Sequence, residues 1–372
     1  MRKVLLIIGT RPEAIKLIPV YKELKKSKGW LTLLVSTGQH HEMLKSIFDF
    51  FEVQPDVDLA VMTKNQSLVG LTELLLRACT TVIEDHSPDL IIVQGDTTTA
   101  MVGALAGFYK QVQIAHVEAG LRSYDKTAPF PEEVNRRMIS AMADFHFAPT
   151  KTAAEALKYE RVQGKIKVVG NTVIDSLVFA TKKVLKNLIV LDSKYTSVLD
   201  QYERMILITG HRRESFGDGF KNICKAIQVL AHTYPKVSFV YPVHLNPNVR
   251  DVVFNMLDSL PNVFLINPVT YDDMVYLMTK SYLILTDSGG VQEEAPSLGK
   301  PVLIMREKTE RPEGVKAGCS LLVGSSEKKI VKAVMDLMDN GRKYKLMARV
   351  ANPYGKGDSS KKIVSYLHNN IQ

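Results

Sequence analysis

The chain has 372 residues, 45% of them apolar and 23% charged, which is enough for two domains that each bury a core. That balance excludes one small domain, a low-complexity chain and disorder beyond the ends. A net charge of +9 favours anionic partners, yet the basic clusters at residues 22–28 and 182–186 carry no interleaved aromatics, which argues against a nucleic-acid face.

Residues 1–3 and the apolar run 4–8 resemble a signal peptide only briefly, because Gly9-Thr10-Arg11-Pro12-Glu13 follows after five apolar residues. The run reads as a first strand, and no stretch approaches membrane-spanning length. Further short buried strands are expected at 31–35, 90–93, 112–117, 145–148 and 166–169, with helical stretches of roughly ten or more residues between most of them. After a charged helical stretch around residues 181–202 the pattern restarts, with strands expected at 205–209, 237–241, 263–266, 283–285, 301–305 and 321–323. Strand–helix alternation with continuous apolar strands implies parallel sheets covered on both faces, so the chain reads as α/β with two doubly wound domains in tandem. Cys79, Cys224 and Cys319 stand far apart in apolar or small-residue surroundings, with neither a CxxC pair nor a metal-ligand spacing. They read as reduced residues of a cytosolic protein.

Ligands of such sheets bind beyond the carboxyl ends of the strands, and polar residues gather there. In Gly9-Thr10-Arg11-Pro12-Glu13-Ala14-Ile15-Lys16, Pro12 suits a first helical turn. Arg11 and Lys16 are either surface cations or a guanidinium and an ammonium facing phosphate oxygens. Asp96, in Gln94-Gly95-Asp96-Thr97, either caps the next helix or faces a ligand. Glu118, in His116-Val117-Glu118-Ala119-Gly120-Leu121-Arg122, stands where α/β proteins place catalytic groups. Glu132 and Glu133 follow Pro129-Phe130-Pro131 and open a helix, where the dipole favours carboxylates; on these residues alone capping is the stronger reading.

The second half opens with Thr209-Gly210-His211-Arg212-Arg213-Glu214. Two arginines lower the pKa of His211 and a bound diphosphate raises it again, a combination that suits an acid acting on a departing phosphate. Further on, an apolar run breaks on Ser288-Gly289-Gly290 and resumes as a helix. Glycines that let the backbone approach an anion, with unpaired amides and the helix dipole facing it, make a diphosphate site. The plainer alternative is a turn with Asp287 or Ser288 as N-cap. Glu294, one turn into that helix, is placed to accept from ribose hydroxyls, and Arg311, in Thr309-Glu310-Arg311-Pro312-Glu313, to clamp a further phosphate. Together these groups describe a cleft that holds an anionic ligand against acid and base groups, with no metal site.

These motifs, in this order, make the chain resemble the non-hydrolysing UDP-N-acetylglucosamine 2-epimerases over nearly its whole length. The likeness runs from Gly9-Thr10-Arg11-Pro12-Glu13 through Gly95-Asp96-Thr97-Thr98, His116 to Arg122, Pro131-Glu132-Glu133, Gly210 to Ser215 and Thr286 to Glu294, ending at Asn352-Pro353-Tyr354-Gly355-Lys356-Gly357. It implies two tandem Rossmann-like domains of the glycosyltransferase-B type with the active site in the interdomain cleft. Residues 1–170 with 355–372 would form the first domain, a final helix at about 359–369 crossing back to it, and 171–354 the UDP-binding domain. The resemblance also implies a cytoplasmic homodimer that needs no cofactor, binds neither nucleic acid nor membrane, and feeds cell-surface polysaccharide synthesis. The reaction it implies interconverts UDP-GlcNAc and UDP-ManNAc by eliminating UDP to a glycal and re-adding it. Asp96, Glu118 and Glu132 are then acid/base candidates, with His211 assisting the leaving UDP, and Arg11, Lys16, Arg136, Tyr271, Met274, Ser288, Gly289, Gly290, Glu294 and Arg311 bind the sugar nucleotide.

Two features depart from the family pattern. Tyr271 and Met274 stand where relatives place an aromatic over uracil. Members activated by a second substrate molecule carry an arginine where this chain has Asn65, and tend to have glutamine where it has Glu42; Gln39, Arg212 and His244 remain as candidate allosteric contacts. A glycosyltransferase shares the fold but has no need of three carboxylates grouped with His211. A hydrolysing epimerase and a silent sugar-nucleotide binding protein complete the alternatives.

Overall fold

The structure is a computed structural model that describes residues 1–38, 41–61, 66–187 and 200–371. The chain divides into two compact units, Met1–Ser176 with Tyr354–Gln372, and Leu177–Pro353. The division falls inside the helix Val173–Asn187.

Among the described residues the first unit holds seven parallel strands: β1 (Arg2–Ile8), β2 (Trp30–Ser36), β3 (Val57–Asp58), β4 (Leu90–Gln94), β5 (Gln113–Val117), β6 (Phe145–Ala148) and β7 (Lys165–Val168). Their order across the sheet is β3-β2-β1-β4-β5-β6-β7. Leu90–Gln94 shows why these runs become strands: all five side chains are buried, so the segment needs apolar residues on both faces and the pleat gives it two. β3, two residues long, has no period to detect and is absent from the expected strands. The final helix, Ser359–Asn370, packs against the helix Arg11–Lys26. Its start is fastened by Asp175, whose carboxylate accepts from the amides of Ser359 (3.1 Å) and Ser360 (2.9 Å).

The second unit repeats the plan with β8 (Arg204–Thr209), β9 (Val237–Pro242), β10 (Val263–Ile266), β11 (Leu283–Thr286), β12 (Val302–Ile304) and β13 (Ser320–Leu322), in the order β10-β9-β8-β11-β12-β13. Ile206, Ile208, Phe239, Tyr241 and Leu285 form its core with Phe220, Ile223 and Ile227 of the helix Asp218–Thr233. Of the charged helical stretch expected near 181–202, residues 181–187 lie in the helix Val173–Asn187 and residues 200–203 hold a turn and a bend; residues 188–199 lie outside the described residues. Both sheets reverse strand order beside their first strand, between β1 and β4 and between β8 and β11. Those are the switch points at which doubly wound sheets hold ligands. Among the described residues no helix is long and apolar enough to cross a membrane.

Candidate functional site

In the first unit, chain reversal at the switch point brings together the turns after β1, β4 and β5. Glu118, the first residue past β5, is buried and sits at φ 65°. A non-glycine residue in that left-handed region is strained, and such strain persists where surrounding contacts over-determine it, often at functional positions. Four such contacts stand out among the described residues. Lys16 Nζ lies 2.6 and 2.7 Å from the two carboxylate oxygens, Asn171 Nδ2 donates to Oε1 at 3.1 Å, and Gln94 Nε2 donates to Oε2. Lys16 therefore places its ammonium on Glu118, its helix rising from the Gly9-Thr10 turn to carry it there.

Asp96 is half-buried after β4. It does not cap the following helix, because Thr97 takes that position and accepts from the Ala100 amide at 3.0 Å. The Asp96 carboxylate meets Arg136, with Nε and Nη2 at 2.9 and 2.8 Å from Oδ2, while Arg136 Nη1 donates to Glu133 at 2.9 Å. Burial works against the Arg136 cation, but Asp96 and Glu133 outweigh it and raise its pKa above the ordinary value. Burial likewise pushes Glu133 up, yet the amides of Ser123 and Tyr124 with Arg136 hold it below the usual carboxylate range. Glu133 is thus the structural carboxylate of its pair. Glu132, in the same first turn, is half-buried, and its Oε2 is enclosed without a hydrogen-bond partner among the described residues.

Glu13 completes this end of the sheet. Fully enclosed, it accepts from the Gly9 amide (3.1 Å), the Thr10 amide (2.7 Å) and hydroxyl (2.8 Å), and Thr97 Oγ1 (2.7 Å). It joins the turn that carries Arg11 to the turn that carries Asp96. Arg11 itself is the half-buried first residue of its helix.

In the second unit the turns after β8 and β11 meet. Asp287 N donates to Thr209 O at 3.1 Å, the Thr209 and Thr286 hydroxyls lie 2.6 Å apart, and Tyr241 donates to Gly210 O at 3.0 Å. His211 stands on this brace with its ring stacked on His244, centroids 5.5 Å apart. Desolvation lowers its pKa below that of an ordinary histidine; Asp287 opposes this, while Arg212 and His244 add to it. Arg212 Nε is enclosed and without a hydrogen bond among the described residues.

Ser288 occupies the N-cap position of the helix Gly289–Glu294 without a side-chain cap bond. Gly289 is glycine for a visible reason, since a Cβ there would stand 3.0 Å from Arg311 Cζ. The guanidinium therefore lies against the helix start, held by Glu293 at 2.9 Å and Glu310 at 2.8 Å. Glu294 accepts from the Tyr271 hydroxyl at 2.7 Å, with Tyr271 buried and Met274 half-buried in the first turn of the helix Tyr271–Lys280.

The expected residues thus gather in two sets. Asp96, Glu118, Glu132, Arg136, Lys16 and Arg11 belong to the first unit, and His211, Arg212, His244, Tyr271, Met274, Ser288, Gly289, Gly290, Glu294 and Arg311 to the second. Gln39 and Asn65 lie outside the described residues, as does the side chain of Glu42. Asn171, Gln94, Glu13 and Asp287 are partners that the sequence reading did not single out as site residues. Only Glu13 left a local trace, the Thr-x-x-Glu pattern of a capping box. Among the described residues no group of three or more His, Cys, Asp or Glu is placed to hold a metal.

Two sheets in the 3-2-1-4-5-6 order, the first extended by a seventh strand and each with charged residues gathered at the strand ends beside its switch point, define a tandem doubly wound α/β protein. Sucrose-phosphate synthase from Thermosynechococcus elongatus shares this fold, with a TM-score of 0.64 at 12% identity, covering 99% of both chains. A family model described as UDP-N-acetylglucosamine 2-epimerase matches residues 22–368. The UDP-N-acetylglucosamine 2-epimerase of Campylobacter jejuni is 45% identical over 373 residues, 99% of this chain and 97% of its own. The crystal structure of the UDP-GlcNAc 2-epimerase from Neisseria meningitidis bound to UDP-GlcNAc has a TM-score of 0.92 at 46% identity, covering 99% of this chain and 100% of that one. The chain belongs to the UDP-N-acetylglucosamine 2-epimerase family.

Proposed function

We propose that this protein interconverts UDP-N-acetylglucosamine and UDP-N-acetylmannosamine. The observation that carries the reading is the delivery of two carboxylates, Asp96 and Glu118, from the ends of the paired strands β4 and β5, the first held by buried Arg136 and the second by half-buried Lys16. In the reaction a carboxylate takes the C2 proton, the C2–H electrons become the C1–C2 double bond of a 2-acetamidoglucal, and the C1–O electrons leave with UDP. Addition in reverse, with a proton delivered to the other face of C2, inverts that carbon. Two faces need two groups, and Asp96, Glu118 and Glu132 share these roles. Lys16 and Arg136 act through the carboxylates they hold.

Charge that develops on the departing diphosphate is met by His211 as proton donor, by Arg11 and Arg311, and by the amides of the Ser288-Gly289-Gly290 turn. Glu294 is assigned to the ribose, and Tyr271 with Met274 to the uracil. A glycosyltransferase would hold the same nucleotide but use an acceptor; a hydrolysing epimerase would let water capture the intermediate.

Incubation with UDP-GlcNAc in deuterated water separates these outcomes. NMR is expected to show deuterium at C2 with accumulation of UDP-ManNAc. Absence of label removes the epimerase reading, label that appears with free ManNAc makes the enzyme hydrolytic, and turnover only with an acceptor makes it a transferase. We further place the enzyme in the cytoplasm as a homodimer that supplies polysaccharide synthesis. Buried unpaired thiols suit that compartment, and the first unit exposes Phe108, Tyr109, Val134 and Met138 on the packed helices Thr98–Tyr109 and Glu132–Met142. A monomeric mass in light scattering would remove the dimer.

A further inference from the structure

A histidine that protonates a leaving group must present one particular ring nitrogen, and something must hold the other. Asp287, the residue after β11, is 2% exposed. Its Oδ2 accepts from the backbone amides of His211 at 2.7 Å and Arg212 at 2.8 Å, so the carboxylate is fixed to the same loop it faces. Its Oδ1 is enclosed, has no hydrogen-bond partner among the described residues, and lies 3.3 Å from His211 Nδ1. A buried carboxylate oxygen of this kind requires a donor, and an N–H at Nδ1 is the one within reach. The His211 side chain is 41% exposed and one face of its ring is covered by His244. With Nδ1 engaged, the ring presents Nε2.

We propose that Asp287 is the positioning residue of His211, holding the imidazole with its proton on Nδ1 so that Nε2 gives its proton to the departing UDP phosphate and takes it back on re-addition. This rests on the reading of His211 as the leaving-group acid. The balance is simple. As C1–O breaks, the Nε2–H bond passes its proton to a phosphate oxygen and neutral imidazole remains with Nδ1–H; re-addition returns the proton to Nε2. The groups that face the ring are Asp287 from the β11 turn, Arg212 from its own loop and His244 from the β9 turn, with the Tyr241 phenol behind Asp287 kept protonated by burial. Asp287 is the anion among them, so its removal lowers the pH at which imidazolium is lost.

The test is Asp287→Asn beside His211→Gln. The asparagine oxygen still accepts both backbone amides, but its NH₂ faces Nδ1 and opposes a proton there, the exchange that in Ser-His-Asp enzymes misplaces the tautomer. Asp287→Asn is expected to melt within a few degrees of the wild type, to keep KM within about threefold, to lose about 100-fold or more in kcat, and to shift the alkaline limb of the kcat profile to lower pH. The double variant is expected to be no slower than His211→Gln alone. Full activity in His211→Gln overturns the acid reading. Loss in His211→Gln with kcat retained and the limb unmoved in Asp287→Asn overturns the positioning role alone. If Asp287→Asn does not fold, ring-nitrogen NMR of the wild type decides: neutral His211 with the proton on Nδ1 sustains the proposal, and a proton on Nε2 ends it.

Discussion

Replacement of Glu118 by glutamine is expected to reduce exchange at C2 of the sugar by about a thousandfold or more while leaving UDP affinity within about tenfold. The carboxylate is held by Lys16, Gln94 and Asn171, four donated contacts on two oxygens. Glutamine keeps the backbone at φ 65° and fills the same volume, but it offers only one oxygen to those donors and no site for a proton taken from carbon. Some stability is lost, because the Lys16 side chain, 12% exposed, is left with half its partner. Apart from Arg11, the groups assigned to the nucleotide belong to the other unit, and Glu118 is none of them, which is why affinity should survive. Deuterium incorporation at C2 and UDP titration by calorimetry check the two halves of the prediction. Exchange at the wild-type rate would make Glu118 a structural residue whose strain serves the turn and not the chemistry.

The same residue marks the limit of what a sequence can reveal here. Position was legible: a carboxylate directly after an apolar run in an α/β pattern falls at a strand's carboxyl end, and the switch-point rule turns that position into a site. Partnership was not. Lys16 is 102 residues away along the chain, where its own neighbours suggest a surface or phosphate-facing cation, while Asn171 lies in a stretch with no motif of its own. The Lys16 contact depends on β1, β4 and β5 being neighbours in the sheet and the Asn171 contact on the turn after β7, placements that hydrophobic periodicity cannot fix.

Asp287 teaches the same lesson from the second unit. Its place before Ser288-Gly289-Gly290 suggested a cap, a local role, whereas its carboxylate crosses to the turn after β8, 76 residues earlier. Uninterrupted apolar runs such as residues 90–93 were legible as strands because burial on both faces leaves no polar interruption. β3 was not, since two residues on a sheet edge carry neither period nor composition. The readable features are those set by the chain's own neighbours, and the hidden ones are those set by topology.

Glu13 carries a second large effect, on stability. Burial raises its pKa from 4.5 to about 7, against the opposing hydrogen bonds from Thr97, Thr10 and Gly9. Between those two values the folded protein binds a proton that the unfolded chain has released, so stability must fall as pH rises. The contribution is fully present below about pH 4.5 and is lost as pH passes through 7, a change on the order of 3 kcal/mol. The geometry names the proton's place. Oε2 takes the two backbone amides, so the acid form carries its hydrogen on Oε1 and donates to Thr97 Oγ1, 2.7 Å away. Glutamine reproduces that arrangement with its NH₂ on the Thr97 side and cannot ionise. Urea unfolding of wild type and Glu13→Gln from pH 4.5 to 8 is therefore expected to show the wild type losing about 3 kcal/mol relative to the variant across the range, other titrations cancelling in the difference. A flat difference would mean that the four donors hold Glu13 ionised throughout, and that the link between the Arg11 and Asp96 turns is a charged one.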